Sequence, residues 1–81
     1  MQVNVYFHSY FKDLAGCEAT VESMPLGAKL SDLEDSVWKR FPALGPMRRS
    51  MLAAVGVAYQ EKSYLLREGD EVSFFPPVQG G

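Results

Sequence analysis

The chain has 81 residues, 47% of them hydrophobic and 22% charged, which gives room for one compact domain and excludes both disorder and a two-domain enzyme with its own nucleotide-binding half. Eight Lys plus Arg against ten Asp plus Glu leave a net charge of -2, which argues against a nucleic-acid backbone as the partner. A single cysteine, Cys17, excludes an internal disulfide framework, and with no secretory pattern and no 18-residue apolar window the expected location is the cytoplasm, with no membrane span.

The first element is a strand, because Gln2 to Phe7 puts Val3, Val5 and Phe7 on one side of an extended chain. Tyr10, Phe11, Leu14 and Ala15 then recur at helical spacing, with Gly16 placed to end the turn. Alternation returns over Glu18 to Glu22, where Ala19 and Val21 share a face, so the two strands are expected to form a broad hairpin closed by the loop at Met24-Pro25. Residues 30 to 41 carry the main helix: Leu30, Leu33, Val37, Trp38 and Phe41 draw one apolar stripe. Asp32, Glu34 and Asp35 lie in its first turns and Lys39 and Arg40 in its last, in keeping with the helix dipole, and Pro42 stops it. Trp38 is expected to pack this helix onto the sheet.

From 42 to 51, Pro42, Gly45 and Pro46 predict irregular chain carrying Arg48 and Arg49. A strand is predicted at Leu52 to Val57, a turn at Tyr59 to Lys62, a short extended or irregular piece at Tyr64 to Leu66, and a tight turn at Glu68-Gly69-Asp70. The last strand is Glu71 to Phe75, with Val72 and Phe74 facing one way and Ser73 and Phe75 the other. This order predicts an α+β fold: a mixed sheet of four to five strands packed on one main helix, with a short helix after the first strand and an extended C-terminal tail. The small architecture that fits it is the β-grasp, the ubiquitin-like roll. Residues 1-75 are read as that domain and 76-81 as a flexible tail.

Side-chain chemistry is sparse. One His and one Cys, nine positions apart, give no metal-ligand spacing, and the body's glycines stand singly, so no phosphate loop is present. His8 reads as an ordinary edge histidine, and Cys17 beside Glu18 lacks the basic neighbour that a reactive thiol wants. The informative stretch is Phe75-Pro76-Pro77-Val78-Gln79-Gly80-Gly81. Two prolines cannot extend a central strand, so they launch the chain outward as a stiff segment, and six residues reach at most about 20 Å. Gly80 and Gly81 can pass a narrow channel. The group delivered is a bare carboxylate, which activation as an acyl adenylate makes able to receive sulfur or an amine.

The run from Glu68 to Gly81 resembles the C-terminal signature of the sulfur-carrier (small) subunits of molybdopterin synthase. The likeness extends over essentially the whole chain: Val5 to Gly16, including Lys12-Asp13-Leu14-Ala15-Gly16, resembles that family's first strand and short helix, and Leu33, Phe41 and Pro42 its main helix and stop. The resemblance implies that the Gly81 carboxylate is adenylated by a ubiquitin-activating-like adenylyltransferase using ATP, leaving AMP only as a transient C-terminal adenylate with no stably bound cofactor. A sulfur donor protein then converts it to a thiocarboxylate. Pro76, Pro77, Val78, Gln79 and Gly80 form the segment inserted into the large catalytic subunit of a heterotetramer, where sulfur passes to cyclic pyranopterin monophosphate. Catalysis is left to the partner. Phe75, outward at the root of the tail, is the expected docking anchor, and Arg48 and Arg49 are candidates for meeting acidic partner groups. Two positions depart from the pattern: Gly56 stands where the family usually has asparagine, and Lys29-Leu30 replaces a threonine-led helix entry.

Two other readings stay open. The same terminal chemistry could serve thiazole synthesis, transfer-RNA thiolation or conjugation as a ubiquitin-like modifier, or the chain could be a non-catalytic interaction domain with an inert tail. Removing Gly80 and Gly81 separates the last from the rest, since body-mediated binding survives that change and transfer does not.

Overall fold

A computed structural model describes residues 1-77. Alternation in β1 (Gln2–Phe7) turns Val3, Val5 and Phe7 inward to complete burial. A short α1 (Phe11–Ala15) follows and buries Phe11. It ends at Gly16, whose left-handed φ of 77° lets its N–H reach the Lys12 carbonyl at 2.9 Å. β2 (Ala19–Ser23) returns antiparallel to β1, and α2 (Leu30–Arg40) crosses behind the sheet. β3 (Leu52–Val55), β4 (Ala58–Tyr59) and β5 (Glu71–Phe75) complete a five-stranded sheet in the order β2-β1-β5-β3-β4.

At the centre of the sheet β1 runs parallel to β5, pairing Val5 with Val72 and Phe7 with Phe74. The other pairings are antiparallel. One face of the sheet packs on α2, which buries Leu30, Leu33, Val37 and Trp38 against Val3, Val5, Phe7, Val72 and Phe74. Trp38 does pack the helix onto the sheet, its ring meeting Phe74 edge-on at 5.7 Å. This is the α+β, β-grasp arrangement expected from the element order.

Several details differ from the sequence reading. α2 ends at Arg40 rather than Phe41, whose backbone, at φ -128° and ψ 72°, has already left the helical region. Pro42–Ser50 is a 3-10 helix, not irregular chain. Tight i to i+3 turns serve its backbone where Pro46, inside the segment, interrupts an α-helix, and the Leu44 N–H donates to the Phe41 carbonyl at 3.0 Å. The strand expected through Val57 ends at Val55. Gly56, at φ 61°, turns the chain, and Tyr59, expected in a turn, pairs with Ala54 as part of β4. Tyr64 to Leu66 is tied to the start of α2 by a Lys29–Leu65 bridge. The face shared by Ala19 and Val21 is the outer one, with Val21 50% exposed, while Glu22 is buried opposite Val3. A carboxylate is tolerated there because Arg40, at the end of α2, reaches it at 2.7 Å. Among the described residues no helix is long and apolar enough to cross a membrane.

Candidate functional site at the root of the tail

β5 sends consecutive side chains to opposite faces. Phe74 is fully buried under α2, and Phe75 stands on the outer face, half-buried. Pro76 and Pro77 follow outside any regular element, also half-buried. The outward placement of Phe75 agrees with its expected orientation. Around it the sheet assembles residues far apart in sequence. Leu52 of β3 pairs directly with Phe75 and is partly exposed. The His8 ring stacks on Phe75 with centroids 4.4 Å apart, and Tyr59 meets it edge-on at 6.2 Å. Val57, in the β3–β4 turn, is fully exposed, and Tyr59 is two-thirds exposed. An uncovered apolar surface therefore surrounds the point where the tail departs. An open cleft of about 340 Å³, lined by Tyr6, His8, Lys12 and Glu18 among others, adjoins it and supplies polar groups at its rim.

Of the residues singled out from sequence, Phe75, Pro76 and Pro77 come together here. Val78, Gln79, Gly80 and Gly81 lie outside the described residues. Arg48 and Arg49 sit on the 3-10 helix, not on an irregular loop. Arg48 is engaged within the chain: it pairs with Asp35, lies 3.7 Å from Glu34, and its guanidinium stands over the Trp38 ring at 5.8 Å. It is on the α2 side of the sheet, whereas Phe75 is on the other. Arg49 is exposed. His8 and Tyr59 are the site residues that sequence reasoning passed over. The outward phase of Tyr6 in β1, continued by His8 just past its end, is a local signal for the first, but its meeting with Phe75 depends on the parallel β1–β5 pairing. No local signal marks Tyr59, whose place follows from the Gly56 turn.

Among the described residues three groups have shifted proton affinities, none of them part of a catalytic arrangement. The Tyr6 hydroxyl donates to Glu71 at 3.2 Å, and that bond, with the negative charge of Glu71, pushes its pKa up. Burial raises Tyr64, assisted by its hydrogen bond to Asp70. Burial also raises Glu34 against the opposing pull of Lys62 and Arg48. Among the described residues no group of three His, Cys, Asp or Glu is placed to hold a metal ion.

Comparison with known proteins decides the relationship. The family model described as "ThiS family" matches residues 5–81. The chain belongs to the ThiS family. The molybdopterin synthase sulfur carrier subunit of Chlamydomonas reinhardtii is 30% identical over 84 aligned positions that span all of both chains. Among solved structures, the putative molybdopterin converting factor subunit 1 of Pyrococcus furiosus superposes with a TM-score of 0.88 at 28% identity, over 96% of this chain and 99% of that one. A complex of subunits 1 and 2 of the molybdopterin-converting factor of Helicobacter pylori contains a chain of the same fold, with a TM-score of 0.72 and 22% identity over the whole of both chains.

Proposed function

We propose that this ThiS-family chain is the sulfur carrier subunit of a molybdopterin synthase and works through its C-terminus. The observation that carries the reading is the stiff Phe75-Pro76-Pro77 exit from an uncovered apolar face, followed in the sequence by Val78-Gln79-Gly80-Gly81. A body that docks by this face holds its surface against the partner, while a tail with a reach of at most about 20 Å can enter it.

A cytoplasmic adenylyltransferase resembling ubiquitin-activating enzymes joins the Gly81 carboxylate to AMP from ATP, releasing pyrophosphate. The outer sulfur of a persulfide on a donor protein then displaces AMP to give an acyl disulfide, and a thiol cleaves its S–S bond, which releases the thiocarboxylate and leaves the donor sulfur in a disulfide with that thiol. No cofactor needs to stay bound to the carrier. The thiocarboxylate is the better nucleophile, so acid–base work can reside in the large subunit that receives the tail. Cyclic pyranopterin monophosphate is the proposed acceptor. The Helicobacter pylori complex of subunits 1 and 2 supports a large-subunit partner by its fold, and a heterotetramer would place one tail in each large-subunit site. Phe75 and its neighbours form the proposed docking surface. The intramolecular engagement of Arg48 makes it a weaker anchor than Phe75, and the exposed Arg49 keeps the candidate role.

The test is reconstitution with activating enzyme, ATP, a sulfur donor, the large subunit and cyclic pyranopterin monophosphate. Molybdopterin formation is expected. A chain that becomes thiocarboxylated yet yields no molybdopterin would keep the carrier chemistry and overturn this acceptor.

A further inference from the structure

Phe75 is gripped where the sheet gives out. The His8 ring lies 12° from parallel to it, with centroids 4.4 Å apart, and Tyr59 abuts it at 6.2 Å and 70°. The two rings come from opposite sides of β5: His8 follows β1, and Tyr59 belongs to β4, beyond β3. Backbone pairing fixes both. The His8 N–H donates to the Phe74 carbonyl at 3.1 Å, carrying the β1–β5 ladder past its last paired residue. Ser9 then turns the chain at a left-handed φ of 57°, a conformation that a residue with a Cβ adopts only when its surroundings hold it there. Tyr59 is held by its register opposite Ala54.

His8 offers Phe75 a face rather than a hydrogen bond. Its Nε2 is buried and has no hydrogen-bond partner among the described residues. Directly after Phe75 come Pro76 and Pro77, whose rings fix φ. With φ fixed at both prolines, holding the Phe75 ring at the end of β5 narrows the directions in which the tail starts.

We propose that His8 and Tyr59 form an aromatic clamp on Phe75 that aims the tail, with His8 as its principal positioning residue. The proposal rests on the sulfur-carrier reading for its chemical consequence. A tail that leaves through a narrower range of directions explores fewer unproductive paths, so a docked carrier presents its terminal group to the acceptor more often in a reactive pose. The clamp acts on transfer after docking, beyond the share that His8 and Tyr59 take in the docking surface, so its signature is the maximal rate at saturating large subunit.

The experiment uses full-length carrier converted to the thiocarboxylate by sulfide cleavage of an intein fusion, which bypasses the activating enzyme. Single-turnover molybdopterin formation is followed over a range of large-subunit concentrations, separating the maximal rate from half-saturation. His8→Ala is expected to lower the maximal rate at saturating large subunit about tenfold, whatever the change in half-saturation, and His8→Phe to restore that rate. Tyr59→Ala should act in the same direction. A maximal rate unchanged in His8→Ala, an effect confined to half-saturation, or a His8→Phe variant as slow as His8→Ala would overturn the clamp. Should His8→Ala fail to melt cooperatively, Tyr59→Ala, at a two-thirds exposed position, decides by the same criterion. Residual dipolar couplings at the Pro76 and Pro77 Cα–H bonds need no acceptor: His8→Ala must shrink them, and unchanged couplings would overturn the clamp. If wild-type carrier gave no product, the acceptor reading would fall and the couplings would still decide the clamp.

Discussion

Gly56 shows how one residue can depart from a family pattern and keep its job. Its φ of 61° lies in the left-handed region, which asparagine enters more readily than other residues bearing a Cβ. An asparagine, which the resemblance leads one to expect at this position, would meet the same backbone demand as the glycine found here. Beyond Gly56 and its two chain neighbours no heavy atom lies within 4 Å of where a Cβ would stand, so any cost of substitution is conformational. Gly56→Ala is expected to destabilise by about 1 kcal/mol and Gly56→Asn by less, as read by urea denaturation. Equal losses would mean that the backbone shape is not what selects the residue. Glu34 gives a second test at this scale. It is 2% exposed, and its Oε1 accepts no hydrogen bond among the described residues, with Lys62 and Arg48 both at 3.7 Å. Burial raises its pKa in the fold, so its contribution favours the folded state below the ordinary glutamate value and is lost as pH rises through the raised one. Glu34→Gln should therefore be more stable than wild type at neutral pH, with the gap closing in acid. Thermal melts across that range check the sign.

At the scale of elements, two contacts tie the helical layer together and to the sheet. Trp38 Nε1 donates to the Leu44 carbonyl at 3.0 Å in the interior, joining α2 to the 3-10 helix. Arg40 reaches the buried Glu22 on β2. Arg40→Ala leaves that carboxylate buried without its cation and is expected to cost about 1–3 kcal/mol in chemical denaturation, more than Arg49→Ala at an exposed position. Much of this layer was legible in the sequence. The spacing of Leu30, Leu33, Val37 and Trp38 specified the buried stripe of α2, and Gly16 specified the end of α1. The inward turn of Glu22 was not legible, because Ala19 and Val21 show the apolar alternation and only the arrival of Arg40 from α2 makes the opposite phase acceptable. The 3-10 helix escaped for a related reason: its prolines signal a break locally, while burial of Leu44 and the Trp38 hydrogen bond organise what lies between them.

At the scale of the molecule, the parallel β1–β5 pairing gathers the site. It brings His8 to Phe75 across 67 positions of sequence, and the β3–β4 turn brings Tyr59 from the other side. The tail motif and the outward phase of Phe75 could be read from sequence because both are local. The clamp around Phe75 could not, because strand order decides it. Replacing Phe75 by Ala should leave the body folded, since Phe74 carries the core contact, and should weaken docking to the large subunit about tenfold or more, as measured by calorimetric titration. Unchanged affinity would move the docking surface elsewhere.

The most direct test of the account is the intact mass of two chains, full-length and lacking Gly80 and Gly81, after incubation with activating enzyme, ATP and sulfur donor. The account predicts that the full-length chain exchanges one oxygen for one sulfur while the shortened chain keeps its mass. A full-length chain left unchanged by an activating enzyme that charges another carrier, or a shortened chain charged equally well, would contradict it.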